Sequence, residues 1–310
     1  MKHTQDSEVA KKILRMRLSQ MLVNEKYKAG LFKIPIHLAM GHETIAVAVD
    51  AAMEKNDQLV CSHRNIHYNL ARTGTLKPIL DEYLLKKEGL ASAQLGSMNL
   101  ANEEKNMAYT SSILGNNLPV AVGLALGQKV KGSNGLVIVV TGDGAMEEGT
   151  FYESLLFLKS QGLSALVIVE NNNWSMHTKI EERRSSIDLP KFAASLGAGY
   201  EQLSGNDPYQ YIERIKKMRE QLLEEKASAI LDVAVTTLGG WYVEAGGNPE
   251  GRYIHLHAGP TPKISVTEWP EIEHSPADPV FVLQKYFALN DLKTYAGEIL
   301  RTLKKEIHET

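Results

Sequence analysis

The sequence predicts an α/β fold on a mostly parallel sheet, and three observations carry that prediction. Residues 136–140 (LVIVV) and 165–169 (ALVIV) are short, continuous apolar runs rich in β-branched residues. Such runs fill parallel strands that are buried on both faces. Between them lie a glycine loop and a helical stretch from about 147 to 161. That makes a βαβ unit, because parallel strands need a crossover. A third strand, near 229–235 (AILDVAV), follows two further helical stretches, so strand and helix alternate as in layered α/β proteins.

The remaining elements follow in chain order. The first ten residues are polar and expected to fray. An N-terminal helix is expected over 8–28, with Ile13, Leu14, Leu18, Met21 and Leu22 at helical spacing. Lys11, Lys12, Arg15 and Arg17 fall mostly on its other faces and read as a solvated surface. Residues 42–54 are Ala-rich and read as a buried helix, and 75–89 as another that stops at Gly89. Residues 90–117 are rich in Gly, Ser and Asn and read as loop. Pro119 opens a helix to about 130, in which Ala121, Gly123, Ala125 and Gly127 suggest close packing. Helices are expected near 189–197 and 207–225, with a loop over 171–187. Residues 237–263 are Gly-rich, 264–275 irregular, and the tail over 278–307 reads as two helices. There is no internal repeat, so the whole chain, 1–310, reads as one domain.

Composition narrows the function classes. The 310 residues carry 34 Lys and Arg against 37 Asp and Glu, a balance that argues against a nucleic-acid partner. The longest wholly apolar runs are about five residues, against roughly 18–20 for a membrane span. The lone Cys61 excludes an intramolecular disulfide and a multi-cysteine metal site. With no secretory signal pattern, the expected compartment is a reducing cytoplasm.

Two short segments carry the chemistry. Gly142-Asp143-Gly144 and Asn171-Asn172 each follow a buried strand. Both therefore sit at carboxyl ends of neighbouring parallel strands, the edge where such sheets bind ligands. Either piece alone reads as a strand-end turn. Together they offer a carboxylate from Asp143, an amide oxygen from Asn172, and glycines that let a ligand approach the backbone. The following helix would present free N–H groups to a phosphate. A hard cation such as Mg²⁺ takes one or two protein oxygens, with diphosphate and water completing an octahedron.

Gly-Asp-Gly, 26 residues, then Asn-Asn resembles the thiamine diphosphate signature. The wider sequence resembles the alpha subunit of the decarboxylating component of 2-oxo acid dehydrogenases (pyruvate, branched-chain and acetoin types). Residues 37–43 (HLAMGHE) resemble the family's H-L-x-x-G-Q-E. Ser62-His63-Arg64 resembles its aromatic-or-His–Arg pair, and Gly96-Ser97-Met98 its G-S-M-H segment. Residues 111–123, 142–153 and 170–177 also follow the family, and the likeness extends over about 10–235.

The resemblance implies a three-layer αβα thiamin diphosphate-binding fold of the diphosphate-binding type, with a helical C-terminal tail. It implies that Asp143, Asn172 and the Trp174 carbonyl bind Mg²⁺. Arg64 would pair with the diphosphate through its planar fork, with His63 beside it. Gly142, Gly144 and Ala145 would give backbone contacts, and Ser112 and Leu114 would meet the aminopyrimidine, Leu114 as an apolar wedge. Without the family, Leu114 reads as a core residue and His37 as a structural histidine. With it, the catalytic histidines would be His37 at the entrance, His67 and His177, the last also near the cofactor.

The sequence departs from the family at three places. Ile66 stands where a histidine is usual, with His67 displaced by one. Asn99 replaces the G-S-M-H histidine, and none occurs near Val243 or Glu244. His255 and His257 would replace a missing histidine, join a metal site, or form an exposed loop pair.

In related enzymes the glutamate that activates the aminopyrimidine lies in a separate domain of similar size, for which 310 residues leave no room. The resemblance therefore implies a beta subunit carrying the pyrimidine-binding domain and that glutamate, in an α₂β₂ assembly. Glu43 matches an alpha-subunit glutamate and is not the candidate. The substrate would be a small 2-oxo acid, with a lipoyl carrier among the acyl acceptors. Two other functions stay open: a split transketolase-like or acyloin-forming enzyme, and a non-catalytic cofactor-binding scaffold.

Overall fold

The computed structural model describes residues 6–239, 242–244, 253–255 and 258–308. In chain order the strands are β1 (Gln58–Ser62), β2 (Met107–Ser111), β3 (Val137–Gly142), β4 (Ala165–Asn171), β5 (Trp174–Ser175), β6 (Thr178–Lys179), β7 (Gly199–Leu203), β8 (Ser228–Ala234), β9 (Tyr242–Glu244) and β10 (Tyr253–His255). The helices are α1 (Ser7–Lys28), α2 (Glu43–Ala52), α3 (Ile66–Thr73), α4 (Lys77–Tyr83), α5 (Asn117–Val130), α6 (Gly149–Ser160), α7 (Ile180–Arg183), α8 (Leu189–Leu196), α9 (Pro208–Glu224), α10 (Pro279–Val282) and α11 (Leu289–His308).

Six strands form one parallel sheet in the order β2-β1-β3-β4-β8-β7. The period of two along each strand sorts its side chains between two cores. Val137 and Val139 face α5 and α6, packing with Phe151 and Leu155. Ile138 and Val140 face the other way, among the buried residues of α1, α2 and α9. Helices on both faces make the three layers, and the continuous apolar runs follow from double burial. The long C-terminal helix, α11, lies against α1.

Several elements differ from the sequence reading. The polar stretches before β1 and β2 hid two strands, and α3 was not expected. The predicted helix over 75–89 ends at Tyr83, because the chain turns under Glu82. That carboxylate accepts the N–H groups of Ala91, Ala93, Leu95 and Gly96 at 2.9–3.0 Å, which gathers the loop around it. In the tail, α10 is a single turn and only α11 is long.

Arg17 departs from its expected solvated face. Its guanidinium is fully buried, 2.7 Å from Glu43 and 3.0 Å from Asp278. Burial opposes its charge, but Glu43 and Asp278 together outweigh that and keep the guanidinium cationic. The ion cluster ties α1, the start of α2 and the C-terminal segment together behind the sheet edge.

Candidate functional site

The carboxyl ends of four adjacent strands, β2-β1-β3-β4, open onto one cleft of about 370 Å³. Chain order reverses between β1 and β3, so the cleft lies at the topological switch point, where parallel sheets bind ligands. β1 delivers His63 and Arg64, β2 delivers Ser112 and Leu114, and β3 delivers residues Gly142 to Ala145. β4 delivers Asn172 and Trp174, and the loop before α2 adds His37. Two expected residues are off the wall. His67 is buried in α3, and His177 sits exposed in the turn of the β5–β6 hairpin.

The polar floor is closely interlocked. Asp143 Oδ1 accepts the Asn172 backbone N–H at 3.4 Å, which joins the ends of β3 and β4. Asp143 Oδ2 meets Arg183 at 2.5 Å, and Arg183 and Arg184 both reach Glu147. Burial raises the Asp143 carboxyl, and Arg183 pulls it back only in part. The Asn172 amide is held at both ends: its oxygen accepts the Trp174 N–H at 2.9 Å, and its nitrogen donates to Thr237 at 3.2 Å. A carboxylate and an amide oxygen lining one cleft are the kinds of donor a hard divalent cation takes.

Arg64 is buried and donates to the Leu38 carbonyl. Burial lowers its pKa to about 10, against the pull of Glu170 and Asp143, so it stays cationic at neutral pH. Burial, and then Arg64, push the His63 imidazole down to about 4, so it is neutral. His37 meets His63 edge-on at 4.8 Å.

Beneath these residues lies a network that sequence reasoning missed. Glu170 accepts from His42 and His67 at 2.9 Å each, and from Tyr68 at 2.7 Å. Burial opposes its charge, but the two histidines outweigh that and hold the carboxyl well below its usual range. Glu170 directly precedes Asn171-Asn172, so its strand-end position was legible. Thr237 and Arg183 had no such signal, lying in a Gly-rich stretch and an expected loop.

The opposite wall is apolar and open. Leu114 is 41% exposed and Ile113 68%. Asn99, at the family's histidine position, accepts the Ser112 N–H at 3.0 Å and so braces this loop. Ile66 is buried in the core.

The helix expected from about 147 opens at Gly149, after a 3₁₀ turn (Ala145–Glu147). Glu147 is held by the two arginines, which keeps it out of the helix. Gly144 is also needed by the chain itself: a Cβ there would lie 2.5 Å from Ser175 Oγ. At Gly142 the nearest such contact is 3.9 Å. Val243 and Glu244 lie in β9 and His255 in β10, where only the backbone is described. His257 lies outside the described residues.

Parallel layers and a cleft at the switch point, lined by Asp143, Asn172 and a buried arginine, define an α/β protein with a ligand-binding cleft at its sheet edge. The chain belongs to the dehydrogenase E1 component family, whose model matches residues 11–240. It is 30% identical over 224 residues to the pyruvate dehydrogenase E1 component subunit alpha of Rickettsia bellii, covering 72% of this chain and 68% of that protein. It is 32% identical over 192 residues to the mitochondrial pyruvate dehydrogenase E1 component subunit alpha of Chaetomium thermophilum, covering 59% of this chain and 46% of that protein. Among solved structures it is similar to a transketolase from Pichia stipitis, with a TM-score of 0.58 and 17% identity. That match covers 97% of this chain and 46% of the transketolase, a likeness of fold alone.

Proposed function

We propose that this chain is the alpha subunit of a heteromeric thiamine diphosphate- and Mg²⁺-dependent enzyme that decarboxylates a 2-oxo acid and passes on the acyl unit. The observation that carries this reading is that Asp143, joined to the Asn172 backbone N–H, lines one cleft with Asn172, a buried, cationic Arg64 and exposed Leu114. These residues fit the group. Asp143, Asn172 and the Trp174 carbonyl would hold Mg²⁺, and Arg64 would meet the diphosphate with neutral His63 beside it. Gly142, Gly144 and Ala145 would lie along it. Ser112 and Leu114 would face the aminopyrimidine, with His37 at the entrance and His177 on the hairpin at the rim. His67 would act on the cleft only through Glu170. The bound cofactor supplies a carbanion at its thiazolium ring.

The activating carboxylate is assigned to a beta subunit in an α₂β₂ assembly. Two carboxylates line the cleft, and both are engaged: Asp143 by Arg183, Glu170 by three donors. Glu43 is buried against Arg17 and accepts the Gly41 N–H at 2.8 Å, away from the cleft. Apolar surface supports a partner. α5 and α6 pack together and show Leu126, Val130, Leu156 and Phe157 to solvent. Large exposed apolar residues gathered on one face mark interaction sites. The buried, unpaired thiol of Cys61 suits a reducing cytoplasm. Among the described residues no helix is long and apolar enough to cross a membrane.

The absent family histidines at Ile66 and Asn99 favour a second reading, transfer of a two-carbon unit to an aldehyde, ketone or sugar. Product analysis with pyruvate alone, then with an added aldehyde or a lipoyl carrier, separates the two. Calorimetry tests the shared core. Thiamine diphosphate should bind the chain purified with its partner, and only with Mg²⁺ present. Absence of binding overturns both readings.

A further inference from the structure

We propose that Thr237 and His42 are positioning residues that aim the Asn172 amide oxygen at the cation site. The proposal rests on the reading of Asp143 and Asn172 as cation ligands. It follows from counting donors along one chain of hydrogen bonds.

The chain starts at Glu170, a buried carboxylate whose oxygens face three donors, His42, His67 and the Tyr68 hydroxyl. His42 Nδ1, 2.9 Å from Glu170 Oε2, must therefore carry a proton. Burial lowers the His42 pKa, so the ring is neutral and its other nitrogen is bare. Thr237 Oγ1 lies 3.0 Å from that bare Nε2 and must donate to it. A hydroxyl has one proton, so Thr237 has only lone pairs left for its other neighbour. That neighbour, 3.2 Å away, is the Asn172 side chain, which must present its NH₂. The amide oxygen is thereby turned the other way. There it accepts the Trp174 N–H at 2.9 Å and keeps a second lone pair for a cation. The two ends of the amide thus specify the same orientation independently.

The backbone brings the relay together. Gly41 has φ +100°, and a Cβ there would lie 1.9 Å from the Thr236 carbonyl. Only glycine admits that contact. Leu238 N–H then donates to the Met40 carbonyl at 2.8 Å. The strand end after β8 is stapled to the loop before α2, which sets Thr237 under His42. A metal among His42, His67 and Glu170 themselves is the weaker alternative. Binding at His67 Nε2 would move the ring proton to Nδ1, which is buried with no partner.

The test titrates Mg²⁺ by calorimetry into the chain purified with its partner, at saturating thiamine diphosphate. Thr237→Val keeps the shape and removes the hydroxyl. It should weaken Mg²⁺ about 10–100-fold, the usual cost of losing an outer hydrogen bond to a ligand. Thr237→Ser restores the hydroxyl and should stay within about threefold of wild type. A second pair guards against misfolding. His42→Leu should lose Mg²⁺ affinity like Thr237→Val. His42→Gln, whose amide can both donate to Glu170 and accept from Thr237, should retain it. Equal Mg²⁺ affinity in Thr237→Val, or in His42→Leu if the first does not fold, overturns the relay. If wild type itself binds no Mg²⁺ with thiamine diphosphate, the cofactor reading fails with it, so the two failures are distinguishable.

Discussion

The two walls of the cleft are built by opposite rules. The β3–β4 wall is polar and saturated, with Asp143, Asn172, Glu170 and His42 each holding a defined partner and Thr237 bracing it from behind. The β2–α5 wall is apolar and open, with Ile113 and Leu114 exposed above a helix whose Val130 is 79% exposed. A saturated polar wall fixes donor and acceptor directions before any ligand arrives, which is what charge stabilisation needs. An open apolar wall leaves surface that a partner can cover. On the proposed function, the contrast means that this chain supplies the diphosphate end of a site and leaves the other end to a partner.

The predictions break or sharpen that contrast. The largest effect should come from behind the polar wall. Arg17→Leu strands Glu43 and Asp278 as buried charges and should cost about 3–5 kcal/mol of stability, read by denaturant unfolding. Next, Asp143→Asn removes the carboxylate ligand. Mg²⁺-dependent cofactor affinity should fall by at least about 100-fold, beyond the usual cost of an outer-shell change, with the melting temperature held. On the open wall the signs should differ. Leu114→Ala should change stability by no more than about 0.5 kcal/mol, because the side chain is 41% exposed. Turnover of the assembled enzyme should nevertheless drop about tenfold or more, through lost orientation of the cofactor. The smallest effect on the cleft should come from Gly123→Leu in α5. A Cβ there meets nothing within 4 Å, so the helix should gain up to about 1 kcal/mol. Sedimentation should show assembly weakened at the same time. A Gly123→Leu chain that assembles normally would remove α5 from the interface.

The legibility of these walls in the sequence also differed. The strands β3, β4 and β8 announced themselves, because double burial forces continuous apolar runs. Asp143 and Asn172 were legible because they end those strands at the edge that binds ligands. β1 (QLVCS) and β2 (MAYTS) were not, since five-residue strands of mixed polarity carry neither a long apolar run nor a clear period. Arg17 was misplaced on a solvated face because helical spacing cannot show Asp278, which arrives from the far end of the chain. The relay through Thr237 was invisible for the same reason. Its meaning depends on Gly41 admitting the Thr236 carbonyl, a contact between segments about 195 residues apart.

The division of the site between two chains is tested most directly by CO₂ release from pyruvate, with thiamine diphosphate and Mg²⁺ present. The purified chain alone should release none, and adding its beta subunit should restore turnover. Full turnover by the chain alone would contradict the account, because a complete site would then lie within these 310 residues.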